Sequence, residues 1–268
     1  MPIEFINTGE LDIKTTYVLP VTIKSVEGIG VLQSAKTYYY VFRGASLINV
    51  VCNISRNRAY PDFKNDSKFN NLTENTMEIL FKANSFPNTL NTLMGIESNY
   101  LLRIGDATIP NNQLQVATSV NNCKSADLQL ESGKWFHVAV AFNKGNVKVY
   151  INGVEKLSGS TGKSSVSLGA KHTNEEDGSR CFWVGYSYKD DRYFDGVVSE
   201  VRIWNRALTA EEIQATNHFY TIEPESEGLI AYWKFDEGSG TVAKDYSVSG
   251  YDLTIEKEPK WESVSLPQ

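Results

Sequence analysis

Residues 186–193 read YSYKDDRY, which places Tyr186, Tyr188 and Tyr193 beside Asp190, Asp191 and Arg192. These residue types suit recognition of a sugar. Aromatic rings stack on its apolar C–H faces, and carboxylates and a guanidinium fix its hydroxyls. Trp261 joins them as a candidate, because it lies outside any strand pattern. Trp135, Trp183, Trp204 and Trp233 sit in strand-like runs and read as core. An Asn-rich stretch from Lys64 to Asn75 is a second candidate rim.

Catalytic spacings are missing. The sequence has no G-x-S-x-G and no H-E-x-x-H. His137, His172 and His218 are scattered, and His137 alternates with apolar residues, so it reads as a packed or surface-facing strand histidine. A pair of carboxylates brought together from distant strands stays open.

The chain has 268 residues, 41% hydrophobic and 22% charged, which is enough for a full core. A net charge of −6 with no basic run argues against nucleic acid as a partner. No apolar run approaches the ~20 residues of a membrane helix. The start, MPIEFINTGELD, has neither a basic nor an apolar signal region, so no signal peptide is read. Cys52, Cys123 and Cys181 are too few for a disulfide framework and lack metal spacing; they read as buried thiols, with one bridge as the alternative.

The elements that must position these residues are strands. Phe136, Val138, Val140 and Phe142 alternate with His137, Ala139, Ala141 and Asn143, the period of a strand with one buried face. Lys144-Gly145 and Asn152-Gly153 then predict tight hairpin turns. Thr209 and Glu212 form a capping-box pattern that opens a short helix to about Asn217. Residues 15–24 and 37–43 predict strands, with Pro20 marking an edge.

Three stretches carry a resemblance: Trp135 with His137-Val138-Ala139, Val147 to Val154, and Gly196 to Ile213. Together they resemble the laminin-G-like group of the concanavalin A-type jelly rolls. The resemblance implies an all-β sandwich of two antiparallel sheets, and makes Phe194 and Gly196 structural. It implies non-catalytic glycan binding at an extracellular or outer-membrane surface, with a glycoside hydrolase or a protein-binding adhesion module as alternatives. Hydrolases of this fold use E-x-D-x-x-E or E-x-D-x-E; Glu74 to Glu78 lacks the central Asp, and Glu200 has no partner at that spacing.

The resemblance also implies a structural Ca²⁺, with Asp245 and Asp252 as ligands and Asp236 and Glu237 nearby. Residues 1–45 resemble the tail of a small β domain found before glycan-handling modules in Bacteroidetes surface proteins. The jelly roll is then expected over 46–268. Residues 228–268 resemble a stretch that usually opens such a domain, so they are expected to supply closing strands in permuted order. A truncated second domain is the alternative.

Overall fold

Both predicted turns form. Lys144 and Gly145 have φ of 47° and 95°, and Asn152 and Gly153 have 49° and 76°. Two successive left-handed residues make the turn whose twist matches a hairpin, and Asn and Gly reach that region at low cost. The turns join three antiparallel strands with Asn143 opposite Asn146 and Ile151 opposite Val154.

The computed structural model describes residues 15–28, 30, 36–43, 46–172 and 181–267. The chain divides into two units, Met1–Asn49 with Ser265–Gln268, and Val50–Val264. In the first, β1 (Thr16–Thr22) and β2 (Thr37–Arg43) form an antiparallel ribbon with Pro20 opposite Tyr39. A two-stranded ribbon has only edge strands, where a missing N–H is tolerated.

The strands that follow are β3 (Ile48–Asn53), β4 (Ala59–Pro61), β5 (Glu74–Ala83), β6 (Asn91–Ile96), β7 (Tyr100–Asp106) and β8 (Ile109–Thr118). Next come β9 (Cys123–Gln129), β10 (Trp135–Asn143), β11 (Asn146–Ile151), β12 (Val154–Ser160), β13 (Trp183–Val184) and β14 (Gly196–Trp204). After the helix α1 (Ala210–Ile213) come β15 (Leu229–Trp233), β16 (Val242–Ala243), β17 (Leu253–Ile255) and β18 (Lys260–Leu266).

They build the expected jelly-roll sandwich of two large antiparallel sheets. One runs β12-β11-β10-β5-β14-β3-β18, with β15 also paired to β14; the other runs β16-β17-β4-β13-β6-β7-β8-β9. Strands after residue 228 enter both. Trp233 of β15 lies opposite Val201 of β14, and Ile255 of β17 lies opposite Ala59 of β4.

Met77, Ile79 and Phe81 of β5, with Val138, Val140 and Phe142 of β10, share one buried cluster with Leu102, Ile104, Leu114 and Val116 of the other sheet. Burial of such side chains is the main favourable term in folding. The single buried face expected of β10 is a partial reading, because its other face is buried too. Ala139 and Ala141 pack with Trp204, Leu208 and Ile213, and with the partly buried Phe219 and Ile222. The small side chains leave room for the segment that follows β14.

That segment holds α1. Its capping box forms: the Thr209 hydroxyl accepts from the Glu212 N–H, and Glu212 Oε2 accepts from the Thr209 N–H at 2.8 Å. The helix stops at Ile213, earlier than expected. The chain tightens into turns, with the His218 N–H donating to Ala215 O at 3.0 Å, and Asn217 adopts a φ of 64°. No disulfide links Cys52, Cys123 and Cys181, and all three are buried.

Candidate functional site

The loop 185–195 joins β13 to β14, and its neck is closed by the backbone. The Phe194 N–H donates to Gly185 O at 2.9 Å, and the Gly185 N–H to Leu93 O at 2.8 Å. Asp190–Arg192 forms a short 3-10 turn at its tip. Arg192 pins the turn to the sheet through Glu97 Oε2 at 2.9 Å. Tyr188 holds a φ of 65°, an unfavourable conformation for a bulky side chain and of a kind that clusters at ligand sites. The guanidinium of Arg192 and the amine of Lys189 lie 5.2 and 5.3 Å from its ring centre.

Tyr186 is buried rather than presented to solvent. Its ring meets Trp183 edge-on, lies 4.9 Å from the Tyr193 ring, and carries the Arg58 guanidinium at 4.6 Å. It therefore supports its neighbours. Arg58 also pairs with Glu256 at 2.7 Å, because the pairing of β4 with β17 sets the two side by side. Asn57 Nδ2 donates to Lys257 O at 2.7 Å and fixes the next residue. Burial pushes the Tyr193 hydroxyl up to about 12 and raises Tyr186 as well, so both phenols are neutral donors and acceptors near neutral pH.

Three clefts surround this loop. The first, of about 510 Å³, is lined by Tyr186, Tyr188, Lys189, Asp190 and Tyr193 together with Arg58, Glu256 and Lys257. The second, of about 700 Å³, lies across Asp190, Tyr193 and Lys257 and reaches Arg56, Asn88 and Asp195. The third, of about 320 Å³, takes in Asp191 and Arg192 beside Asn88. Asp195 is held by the hydroxyls of Ser55 and Ser85 at 2.8 and 2.6 Å.

The structure thus brings Tyr186, Tyr188, Asp190, Asp191, Arg192 and Tyr193 together. It does not bring Trp261, which lies on β18, packs against the main core and lines none of the three clefts. The Asn-rich loop uses its polar groups internally: Asn70 Oδ1 accepts from the Gly169 N–H, and Asn65 Oδ1 from the Lys171 N–H. Sequence reasoning missed Arg58, Glu256 and Lys257. Nothing local marks them, since they meet only through strand pairing across almost two hundred residues.

Asp245 and Asp252 serve a turn. Asp245 Oδ1 accepts from the N–H groups of Tyr232 and Ser247 at 2.9 and 2.8 Å, and Oδ2 from that of Tyr251 at 2.8 Å. Asp252 Oδ1 accepts from the Asp245 N–H at 2.8 Å. Ca²⁺ needs about six to eight oxygens with free lone pairs. Asp245, ringed by three backbone donors, does not fit that role.

Among the described residues, one grouping offers three metal-ligand atoms within 4.8 Å of one another: Glu78, His137 and His218. It lies on the face of the first sheet covered by the segment after β14. Glu78 Oε1 bonds His218 Nε2 at 2.6 Å, and Oε2 accepts from the Trp204 indole at 2.7 Å. His137 Nε2 lies 3.5 Å from Oε1, and its ring stacks on Phe219 at 4.5 Å. Arg202 sits 3.7 Å from Oε2 and also pairs with Glu200, which accepts from the Tyr232 hydroxyl at 2.6 Å.

The Arg202 guanidinium already puts a positive charge beside this carboxylate, which opposes binding of a second cation there. Burial lowers His137, keeping it neutral. For Glu78 burial acts upward, but the His218 hydrogen bond and the nearby His137 imidazole outweigh it and hold the carboxyl well below its usual range. Glu78 and Glu200 are two carboxylates from different strands that meet on Arg202. Both are sealed from solvent, with exposures of 0% and 2%, so no substrate or water reaches them.

Comparison with known proteins places this sandwich in a known superfamily. The profile of the concanavalin A-like lectin/glucanases superfamily matches residues 57–214, more than half of the chain, and the chain belongs to that superfamily. Its structure is similar to that of a candidate carbohydrate binding protein from Bacteroides ovatus, with 26% identity, a TM-score of 0.69, and coverage of 95% of this chain and 70% of that one. A SAP-like pentraxin from Limulus polyphemus matches at 14% identity and a TM-score of 0.44, over 65% of this chain and 83% of that one. Domain 4 of AbnA, a GH43 extracellular arabinanase from Geobacillus stearothermophilus, matches at 19% identity and a TM-score of 0.47, over 77% and 88%. Comparison with curated protein sequences finds no match.

Proposed function

We propose that this chain binds carbohydrate without cleaving it, in the clefts around Tyr188, Asp190 and Tyr193. The observation that carries the reading is the first cleft. A Tyr193 ring braced by Tyr186 stands beside Arg58, Asp190, Glu256 and Lys257, a surface that offers stacking and hydroxyl bonding together. Such a grooved and charged surface favours a glycan over a flat, apolar protein-docking face. The similarity to the Bacteroides ovatus protein supports it. A location at the cell surface or outside the cell accords with a polysaccharide met from outside; labelling of intact cells tests it.

The binding test is retardation in gels that contain xylan, arabinan, laminarin or homogalacturonan. Retardation by at least one polysaccharide is expected, weakened by Tyr193→Ala and by Tyr188→Ala. Loss of one stacked ring corresponds to about a tenfold drop in affinity. No reducing sugar should be released. Release would overturn the non-catalytic reading, and failure of every polysaccharide to retard the protein would overturn the binding.

A further inference from the structure

The three clefts are contiguous. The first and second share Asp190, Tyr193 and Lys257 as a common ridge. The third shares Lys189 with the first, and Pro87 and Asn88 with the second. Together they encircle the Asp190–Arg192 turn. Each is at least as large as the small end of ordinary ligand pockets, which run from about 300 Å³ and hold molecules larger than one sugar ring. A single sugar would occupy part of one cleft and leave the shared ridge contacted from one side only.

The ridge is also fixed before any ligand arrives. Asn88 Nδ2 donates to Tyr193 O at 3.0 Å, Tyr186 backs the Tyr193 ring, and Arg192 is tied to Glu97. Groups already held in place lose little freedom on binding, so contacts in successive clefts add to affinity.

Resting on the carbohydrate-binding reading, we propose that the ligand is a glycan chain of at least three sugar residues, one per cleft, wrapped around the Asp190–Arg192 turn with Tyr193 as its central stacking surface. A lone terminal sugar is not the recognised unit.

The test is titration calorimetry on the whole protein. The probes are xylo-, arabino-, laminari- and galacturono-oligosaccharides of one to six units, matched to whichever polysaccharide retards the protein. Affinity should rise by about tenfold or more between the monosaccharide and the trisaccharide, as each added contact takes hold. Arg56→Ala in the second cleft and Asp191→Ala in the third should each weaken the hexasaccharide several-fold. Both side chains are exposed, so the variants should fold. A monosaccharide that binds as tightly as the hexasaccharide overturns the chain-length proposal and leaves carbohydrate binding standing. Failure of all four polysaccharides overturns both.

Discussion

Replacing Glu78 should cost the fold far more than its position on an outer sheet face would indicate. Its carboxylate is fully buried and holds three groups at once: His218 Nε2 at 2.6 Å, the Trp204 indole N–H at 2.7 Å and the Arg202 guanidinium at 3.7 Å. Removing one member of a buried charged set leaves the others uncompensated, at a cost of about 3–5 kcal/mol. The orphaned indole N–H belongs within that figure, since such effects are not additive. We therefore expect Glu78→Ala to lose about 4 kcal/mol, a large share of a typical domain stability. Glu78→Gln keeps an acceptor for Trp204 and loses only the charge, so about 2 kcal/mol is expected. Urea unfolding followed by tryptophan fluorescence reads both. With a slope near 3 kcal/mol/M, the midpoint should fall by about 1.3 M for Ala and about half that for Gln. A cycle with His218→Ala should show coupling between the two side chains. A Glu78→Ala protein whose midpoint stays within about 0.3 M of the parent would refute the account, because the cluster would then contribute no more than an exposed pair.

Other outcomes follow from the same geometry. His137 is lowered from its ordinary 6.5 by burial, so below that pH the unfolded chain takes up a proton that the folded one refuses, and stability falls. Glu78, depressed from 4.5, continues the loss as pH drops further, while Glu200, raised by burial, works in the opposite sense. Acid unfolding should therefore begin below about pH 6.5 and be shallower below pH 4.5 in Glu78→Gln, as read by circular dichroism. Asp245→Asn leaves one oxygen to serve three N–H groups and should cost about 1–3 kcal/mol in a thermal or urea melt. Adding Ca²⁺ or a chelator should leave the melting of the parent protein unchanged, since the Asp245 oxygens face backbone donors.

Local chemistry was legible where it acts between near neighbours. Lys144-Gly145 and Asn152-Gly153 set two turns because left-handed φ is a property of the dipeptide itself. The capping box at Thr209 and Glu212 formed for the same reason, whereas the helix length did not follow, because packing and turns beyond Ile213 decide it. Alternation in β10 located the core face. It was silent about the second face, which is buried only because the segment after β14 folds back over it.

Sequence by itself determined the all-β class, the hairpins that found the sandwich, and one wall of the candidate site, Tyr186 to Tyr193. These depend on backbone preference and on residue types adjacent in the chain. Only the tertiary structure decided the rest. It set Arg58 beside Glu256, turned Tyr186 inward as a brace, moved Trp261 away from the clefts, and closed Glu78, His137, Arg202 and His218 into one buried cluster. Those contacts join residues tens to almost two hundred positions apart. Their partners are fixed by strand order and register, which no local pattern encodes.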